Sequence, residues 1–369
     1  MKEKKKIWSI YTRLFHVMLI TSVVTSYILI QKENQLTSHV LVGYLVALLI
    51  AFRIIWGFLG VKCSQHKDLL KKAPQVPAYF KNYFNKNRGS YMGHNPASAV
   101  YVLLIMTLLI LVTVSGSLLY GIQENSGIFA SLNKNYSGWM LLLESIHKTA
   151  TTVLIVFIAS HVIGVLLNLV FNGSDLILGM IHGKRIETSF DVILTPKQHL
   201  FGLVWIASVL SLGVYFYTKP DNILTQDQSL AIDFRSDSYE TSSGCGSCHI
   251  VYPAYLLPKK SWNFMMDNLE NHFGKDASRP EEEAQSIREY LLSHAAEYST
   301  REASIKVLDR LGDKIPQAIT ETNYWKEKHK NITKEQFAAD YGIKSDCTTC
   351  HKTIRDGLIQ DAQIKFNYE

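Results

Sequence analysis

The chain has 369 residues, 47% of them hydrophobic, and the apolar content sits mainly in the first 217 positions. That asymmetry excludes a single uniformly soluble domain and predicts an apolar, membrane-type part followed by a polar one. The net charge of +6 does not read as a nucleic-acid patch, because its cations gather at the edges of predicted membrane spans.

The lysine cluster Met1–Lys6 precedes a first apolar run, Leu14–Ile30. A secretion signal could begin this way, but no small-residue cleavage site follows, so the run reads as a retained helix. Further runs cover Val40–Leu59, Ser98–Tyr120, Val153–Phe171 and Leu200–Tyr217. Each approaches or reaches the roughly 20 apolar residues that a helix needs to cross a bilayer. Five spans are expected. Between spans two and three, Val61–Ser90 carries Lys62, Lys67, Lys71, Lys72, Lys81, Lys86 and Arg88 against one acid, Asp68. That connection and the N-terminus are therefore expected in the cytoplasm. Gln31–Thr37 and Gly121–Gly138 have one basic residue each, Lys32 and Lys134, which suits the other side. In Asn172–His199, Lys184, Arg185 and Lys197 are balanced by Asp175, Glu187 and Asp191, which decides nothing. Parity decides instead: five spans and an inner N-terminus put everything after Tyr217 outside.

Four histidines lie in or at the ends of spans: His16, His39, His147 and His161. A lone histidine there is more often a hydrogen-bonded packing residue than a ligand, but ionisable groups in spans are functional candidates. The topology puts His16 and His161 near the inner face, and His39 and His147 near the outer. His147 and His161 are 14 residues apart, close to four whole turns and about 21 Å along a helix, so they project from nearly one face. Two bis-histidine haems b follow, one between His16 and His161 and one between His39 and His147. Gly43 and Gly164, each about a turn from a ligand, would let a flat macrocycle approach, though glycine also serves helix packing. Arg13 and Arg53 fall at the inner end, where they could bind haem propionates or simply reach the interface.

Four of the five cysteines form two copies of one pattern, Cys245-Gly-Ser-Cys248-His249 and Cys347-Thr-Thr-Cys350-His351. Two thiols at this spacing can add to the two vinyl groups of one porphyrin, with His249 or His351 as proximal ligand, so C-x-x-C-H reads as covalent haem c attachment. A zinc half-site or a redox dithiol is the alternative, and an outer location favours haem. The fifth, Cys63, reads as an ordinary free thiol. The tail is helical in flavour over Trp262–His272, Glu281–Glu297 and Ile305–Leu311, with a thin apolar core that haem must supplement. Candidate distal ligands are His272, His294, His329, Met265 and Met266. His272 and His329 are favoured, lying 23 residues after His249 and 22 before His351; which serves which motif stays open. The methionines read as packing, and His294 as a surface residue.

Leu14-Phe15-His16, His39 with Gly43-Tyr44, Arg53-Ile-Ile-Trp56-Gly57-Phe58-Leu59-Gly60, Gly93-His94-Asn95-Pro96, and His147 with His161 resemble the prokaryotic cytochrome b561 and Ni,Fe-hydrogenase-type cytochrome b family over roughly residues 7–185. The resemblance implies a helical bundle with two haems b, ligated by the same four histidines, that exchanges electrons with quinone. His94 could cap the third span or line a quinone site. The tail resembles the diheme cytochrome c family through both C-x-x-C-H motifs, Ser261-Trp262 with Asn271-His272-Phe273-Gly274, and Tyr324-Trp325 with Lys328-His329-Lys330. That family passes electrons to soluble partners, small haem proteins among them, and the likeness supports His272 and His329 as distal ligands.

The expected fold is all-α: a membrane domain at 1–185, a fifth span and linker at 186–220, and a mainly helical periplasmic domain at 221–369. The expected function is electron transfer in the bacterial inner membrane, from the quinone pool through two haems b and two haems c to a soluble periplasmic acceptor. Quinol dehydrogenase is the activity it would carry as an enzyme. Two other readings stand beside it. One is oxidation of superoxide or another small species with quinone as acceptor, which the sparse outer cations Lys32 and Lys134 disfavour. The other is a cytochrome b anchor for a dehydrogenase or hydrogenase, which the fused tail disfavours.

Overall fold

The computed structural model describes residues 4–32, 35–85, 93–172, 175–186, 192–219, 221–229, 239, 245–332 and 347–359. Met1, Lys86, Arg88, Glu187 and Asp191, used above for charge placement, lie outside these residues. The chain forms two compact units, one of residues 1–118 and 142–225, the other of 119–141 and 226–369. The units thus interleave along the chain.

Five helices in the described residues are long and apolar enough to cross a membrane. They are α1 (Ile10–Ile30), α2 (Leu36–Leu59), α5 (Pro96–Glu124), α7 (Met140–Asn172) and α9 (Pro196–Thr218), with short helices α3 (His66–Lys72), α4 (Val76–Phe84), α6 (Asn133–Tyr136) and α8 (Asp175–His182) in the connections. Each span is longer than its apolar run because polar residues cap it. The Ser9 hydroxyl accepts the Thr12 amide at the start of α1, Asn95 Oδ1 accepts the Ser98 amide at 2.7 Å, and Thr195 and Gln198 form a reciprocal capping box ahead of α9. The fourth span starts 13 residues before its apolar run, since Glu144 and Lys148 pair at 2.5 Å one turn apart and are carried on the helix. Thr21, Thr113, Ser117 and Ser208 return their hydroxyls to the carbonyl four residues back, so none leaves a bare donor in the apolar zone.

The fifth span is packed, not loosely appended. Trp205 stacks on Phe52 with ring centroids 3.8 Å apart, Phe201 lies 5.8 Å from Phe52, and Trp56 continues the stack at 5.4 Å. Gly202 faces Tyr11, where a Cβ would come within 2.5 Å of the ring. At the end of the unit, β1 (Lys4–Lys6) pairs antiparallel with β2 (Lys184–Ile186), and the Ile7 amide donates to Gly183 O at 2.8 Å. The connection after span four therefore lies on the same side as the lysine-rich start, which charge counting left undecided.

The second unit is built from short helices α10 (Lys259–Asp267), α11 (Glu281–Ser293), α12 (Glu302–Asp309) and α13 (Asn323–Lys328), with 3-10 turns between them. Its core joins Trp262, Met266, Ile287, Tyr290 and Leu291, and the Trp262 indole donates to Ala254 O at 2.7 Å. Met266 is buried there and Met265 packs against it, so both methionines serve packing. Helix α10 ends at Asp267, earlier than the expected Trp262–His272, because Asn268 leaves the helical region at φ −125° and ψ 35° and a 3-10 turn follows; beyond it Phe273 and Gly274 take positive φ of 52° and 81°, with His272 and Lys275 exchanging backbone hydrogen bonds. The connection 119–141 is part of this unit. Gly127 N donates to Gln226 O at 2.9 Å; Asn133 Nδ2 donates to Thr300 O at 3.2 Å, and Thr300 Oγ1 donates to Asn133 Oδ1 at 2.6 Å.

Candidate functional site

Two imidazole nitrogens each about 2.0–2.1 Å from one metal ion hold their ring centroids about 6 Å apart. Three of the expected pairs have that separation. His39 and His147 lie 6.4 Å apart with planes at 90°, His249 and His272 lie 6.2 Å apart at 19°, and His329 and His351 lie 6.1 Å apart at 58°. The fourth pair, His16 on α1 and His161 on α7, is within electrostatic reach of each other. Of the two distal candidates, His272 lies beside the histidine of Cys245-Gly-Ser-Cys248-His249, and His329 beside that of Cys347-Thr-Thr-Cys350-His351.

In four of these rings Nδ1 is held by a backbone carbonyl. Nδ1 of His39 lies 2.9 Å from Ser26 O, that of His147 3.0 Å from Val112 O, that of His249 2.6 Å from Ile250 O and that of His329 2.8 Å from Trp325 O. A carbonyl only accepts, so Nδ1 carries the proton in each case and Nε2 keeps its lone pair for a metal. His329 also stacks on Trp325 at 4.3 Å, and Thr322 caps this six-residue helix by accepting the Trp325 amide. Burial, with His249 nearby, holds His272 below the ordinary histidine range, and burial does the same for His329. Both are then neutral, the ligating form, at pH 7.

A residue that sequence reasoning passed over is Gly116 on α5. A Cβ there would come 2.7 Å from His147 Cε1, so only glycine lets α5 lie against that imidazole. At Gly43 and Gly164, by contrast, a Cβ would meet nothing within 4 Å, which leaves room for a flat ring beside the histidines. Arg53 is buried and donates to Ser64 O at 2.9 Å; Arg13 donates to Ile181 O, while its Nε is buried with no partner among the described residues. A carboxylate such as a propionate would fit that remaining donor. His94 packs edge-on against Trp8 with centroids 4.9 Å apart. His294 stacks on Tyr290 and donates from Nδ1 to its carbonyl much as His329 does with Trp325, yet it is exposed and faces no second histidine among the described residues.

Cys63 is buried, away from both C-x-x-C-H motifs in the sequence. Among the described residues no three His, Cys, Asp or Glu side chains gather around one point as an ion site requires. The residues fit haem: paired axial imidazoles, paired thiols for covalent attachment, and glycine-lined helix faces.

Residues 7–183 match the family model for prokaryotic cytochrome b561, and residues 241–358 match that for dihaem cytochrome c. Among solved structures, the diheme cytochrome c from Rhodobacter sphaeroides is 32% identical, covering 36% of this chain and 100% of its own, with a TM-score of 0.31. The diheme cytochrome c from Shewanella baltica OS155 is 34% identical, covering 35% of this chain and 89% of its own, with a TM-score of 0.28. No curated protein matches.

Proposed function

Since the chain belongs to the prokaryotic cytochrome b561 family over residues 7–183 and to the dihaem cytochrome c family over 241–358, we propose that this transmembrane electron-transfer cytochrome connects the quinol pool to a soluble periplasmic acceptor through two haems b and two haems c. The observation that carries this reading is the recurrence of facing histidines at 6.1–6.4 Å in both units. When bound, haem supplies a one-electron iron couple whose potential is set by axial ligands and surroundings. The protein's part would be to hold each haem iron between two imidazoles. His39 with His147, and each C-x-x-C-H histidine with His272 or His329, would hold the iron from two sides, which favours electron transfer over substrate chemistry at the metal. Ser26, Val112, Ile250 and Trp325 hold the imidazoles in the tautomer that presents Nε2. His16 and His161 form the inner pair, and Arg13 offers its unused Nε–H to a propionate there.

Direction across the membrane is supported by two independent links. The start of the chain is tied by β1 to the connection after span four, and the connection 119–141 is folded into the unit that holds the C-terminal domain. With lysine-rich segments facing the cytoplasm, the haem c residues face the periplasm of the inner membrane.

The test is to add reduced quinol to the purified protein without oxygen and follow the c-haem absorbance. Reduction is expected; a c-haem band that stays oxidised while dithionite reduces it fully would overturn the quinol reading. A pyridine haemochrome spectrum is expected to give two b and two c haems per chain.

A further inference from the structure

Where α2 ends, the chain turns through Lys62–Ser64 into α3, and between them lies a cleft of about 550 Å³. It is lined by Gly57, against which the His66 ring packs: a Cβ there would come 1.9 Å from Nε2, which instead reaches Ile54 O at 3.1 Å. One wall is apolar and open to its surroundings, with Phe58 72% and Leu70 59% exposed. The other is cationic, formed by Lys67 and Lys71. The one acid of the whole Val61–Ser90 segment, Asp68, is bound by Lys72 at 2.8 Å. Lys67 and Lys71 have no acidic partner among the described residues, so an anion from elsewhere is the complement this wall lacks.

A cleft at the end of a membrane span, cationic on one wall and apolar on the other, matches a molecule with a phosphate and acyl chains. We propose that it binds an anionic phospholipid of the adjoining leaflet, with Lys67 and Lys71 on the phosphate and Phe58 and Leu70 along the acyl chains. Basic segments next to spans attract anionic lipid, each cation contributing about fivefold in affinity. Aromatic and aliphatic side chains at the same depth add burial in the acyl boundary. The bound lipid would brace α3 against the end of α2, the helix that begins with His39. This site is separate from the histidine pairs and independent of the direction of electron flow.

The test uses delipidated holoprotein and native mass spectrometry, titrating palmitoyl-oleoyl phosphatidylglycerol against phosphatidylcholine with the same chains. Phosphatidylglycerol is expected to be retained preferentially. The K67Q/K71Q double variant is expected to lose about 25-fold in retention, K67R/K71R to restore it, and K81Q, in the same basic segment but outside the cleft, to stay near wild type. The ratio of haem b to haem c, expected to be unchanged throughout, reports that each variant is folded. Equal retention of the two lipids, undiminished phosphatidylglycerol binding by K67Q/K71Q, or full displacement by soluble glycerol phosphate would overturn the proposal.

Discussion

His249 and His272 face each other across 6.2 Å with ring planes only 19° from parallel, although 23 residues separate them. The tight turn at Phe273 and Gly274 makes this possible, since it returns the chain just where His272 must stop and point back. His329 and His351 meet at 6.1 Å by other means, a capped six-residue helix with an indole beneath the imidazole.

The pairing can be tested by combining variants. In a chain carrying C347S and C350S, His272→Ala is expected to leave no low-spin haem c by electron paramagnetic resonance, whereas His329→Ala leaves one. The opposite pattern would reverse the assignment. Mass determination should show the remaining haem still covalently attached, because thioether bonds do not depend on the distal ligand.

At Gly116 a methyl group is enough to disturb the outer pair. Gly116→Ala puts a Cβ 2.7 Å from His147 Cε1, well inside contact distance, so the ring or the helix must shift. The expected outcome is loss of one haem b while both haems c stay, read as a haemochrome ratio that falls from 1:1 towards 1:2. An unchanged ratio and unchanged b-haem spectrum would remove Gly116 from the site.

Trp205→Ala removes the face that stacks on Phe52. Such truncations cost about 3–5 kcal/mol in water-soluble cores, and less between membrane helices, where lipid replaces the lost partner; on the order of 2 kcal/mol is expected here. The midpoint of thermal unfolding in detergent should fall with haem stoichiometry unchanged. A loss of haem b instead would mean that span five supports the ligands directly.

His94 gives the protein an acid-sensitive point. Burial first, then the charges of Arg53 and Lys72, push its imidazole down to about 4. The unfolded chain therefore binds a proton near pH 6.5 that the folded one refuses, and stability, full above that value, is lost as pH falls towards 4. The loss is on the order of 3 kcal/mol. Thermal release of haem b, followed from pH 7.5 to 5, should come earlier at low pH, and His94→Gln should flatten the dependence. Equal slopes for the two proteins would rule His94 out as the cause.

Much of the fold was legible because each signal is local. An apolar run of about 20 residues reads as a span without knowledge of its neighbours, and C-x-x-C-H carries its chemistry within five positions. The pairing of His272 with His249 was not legible, since separations of 23 and 22 residues treat the two motifs alike. Gly116 was hidden because glycine in a membrane helix has several uses, and only the presence of His147 beside it selects one. The ribbon of Lys4–Lys6 with Lys184–Ile186 gave no pattern at all: lysines in strands look like lysines at an interface. The fate of the connection 119–141 was invisible for a similar reason, because its partner at Thr300 is 167 residues away from Asn133.

That last clasp bears on how the protein is made and can be divided. Asn133 is synthesised 167 residues before Thr300, so the second unit is completed on a stretch of chain made long before the rest of it. A secreted fragment starting at residue 221 would lack that piece and leave Thr300 without its two bonds. The chain is thus more than two cytochromes on one string: the stretch between spans three and four belongs to the second unit, and the seam at which the two could be cut apart does not exist as a single point in the sequence.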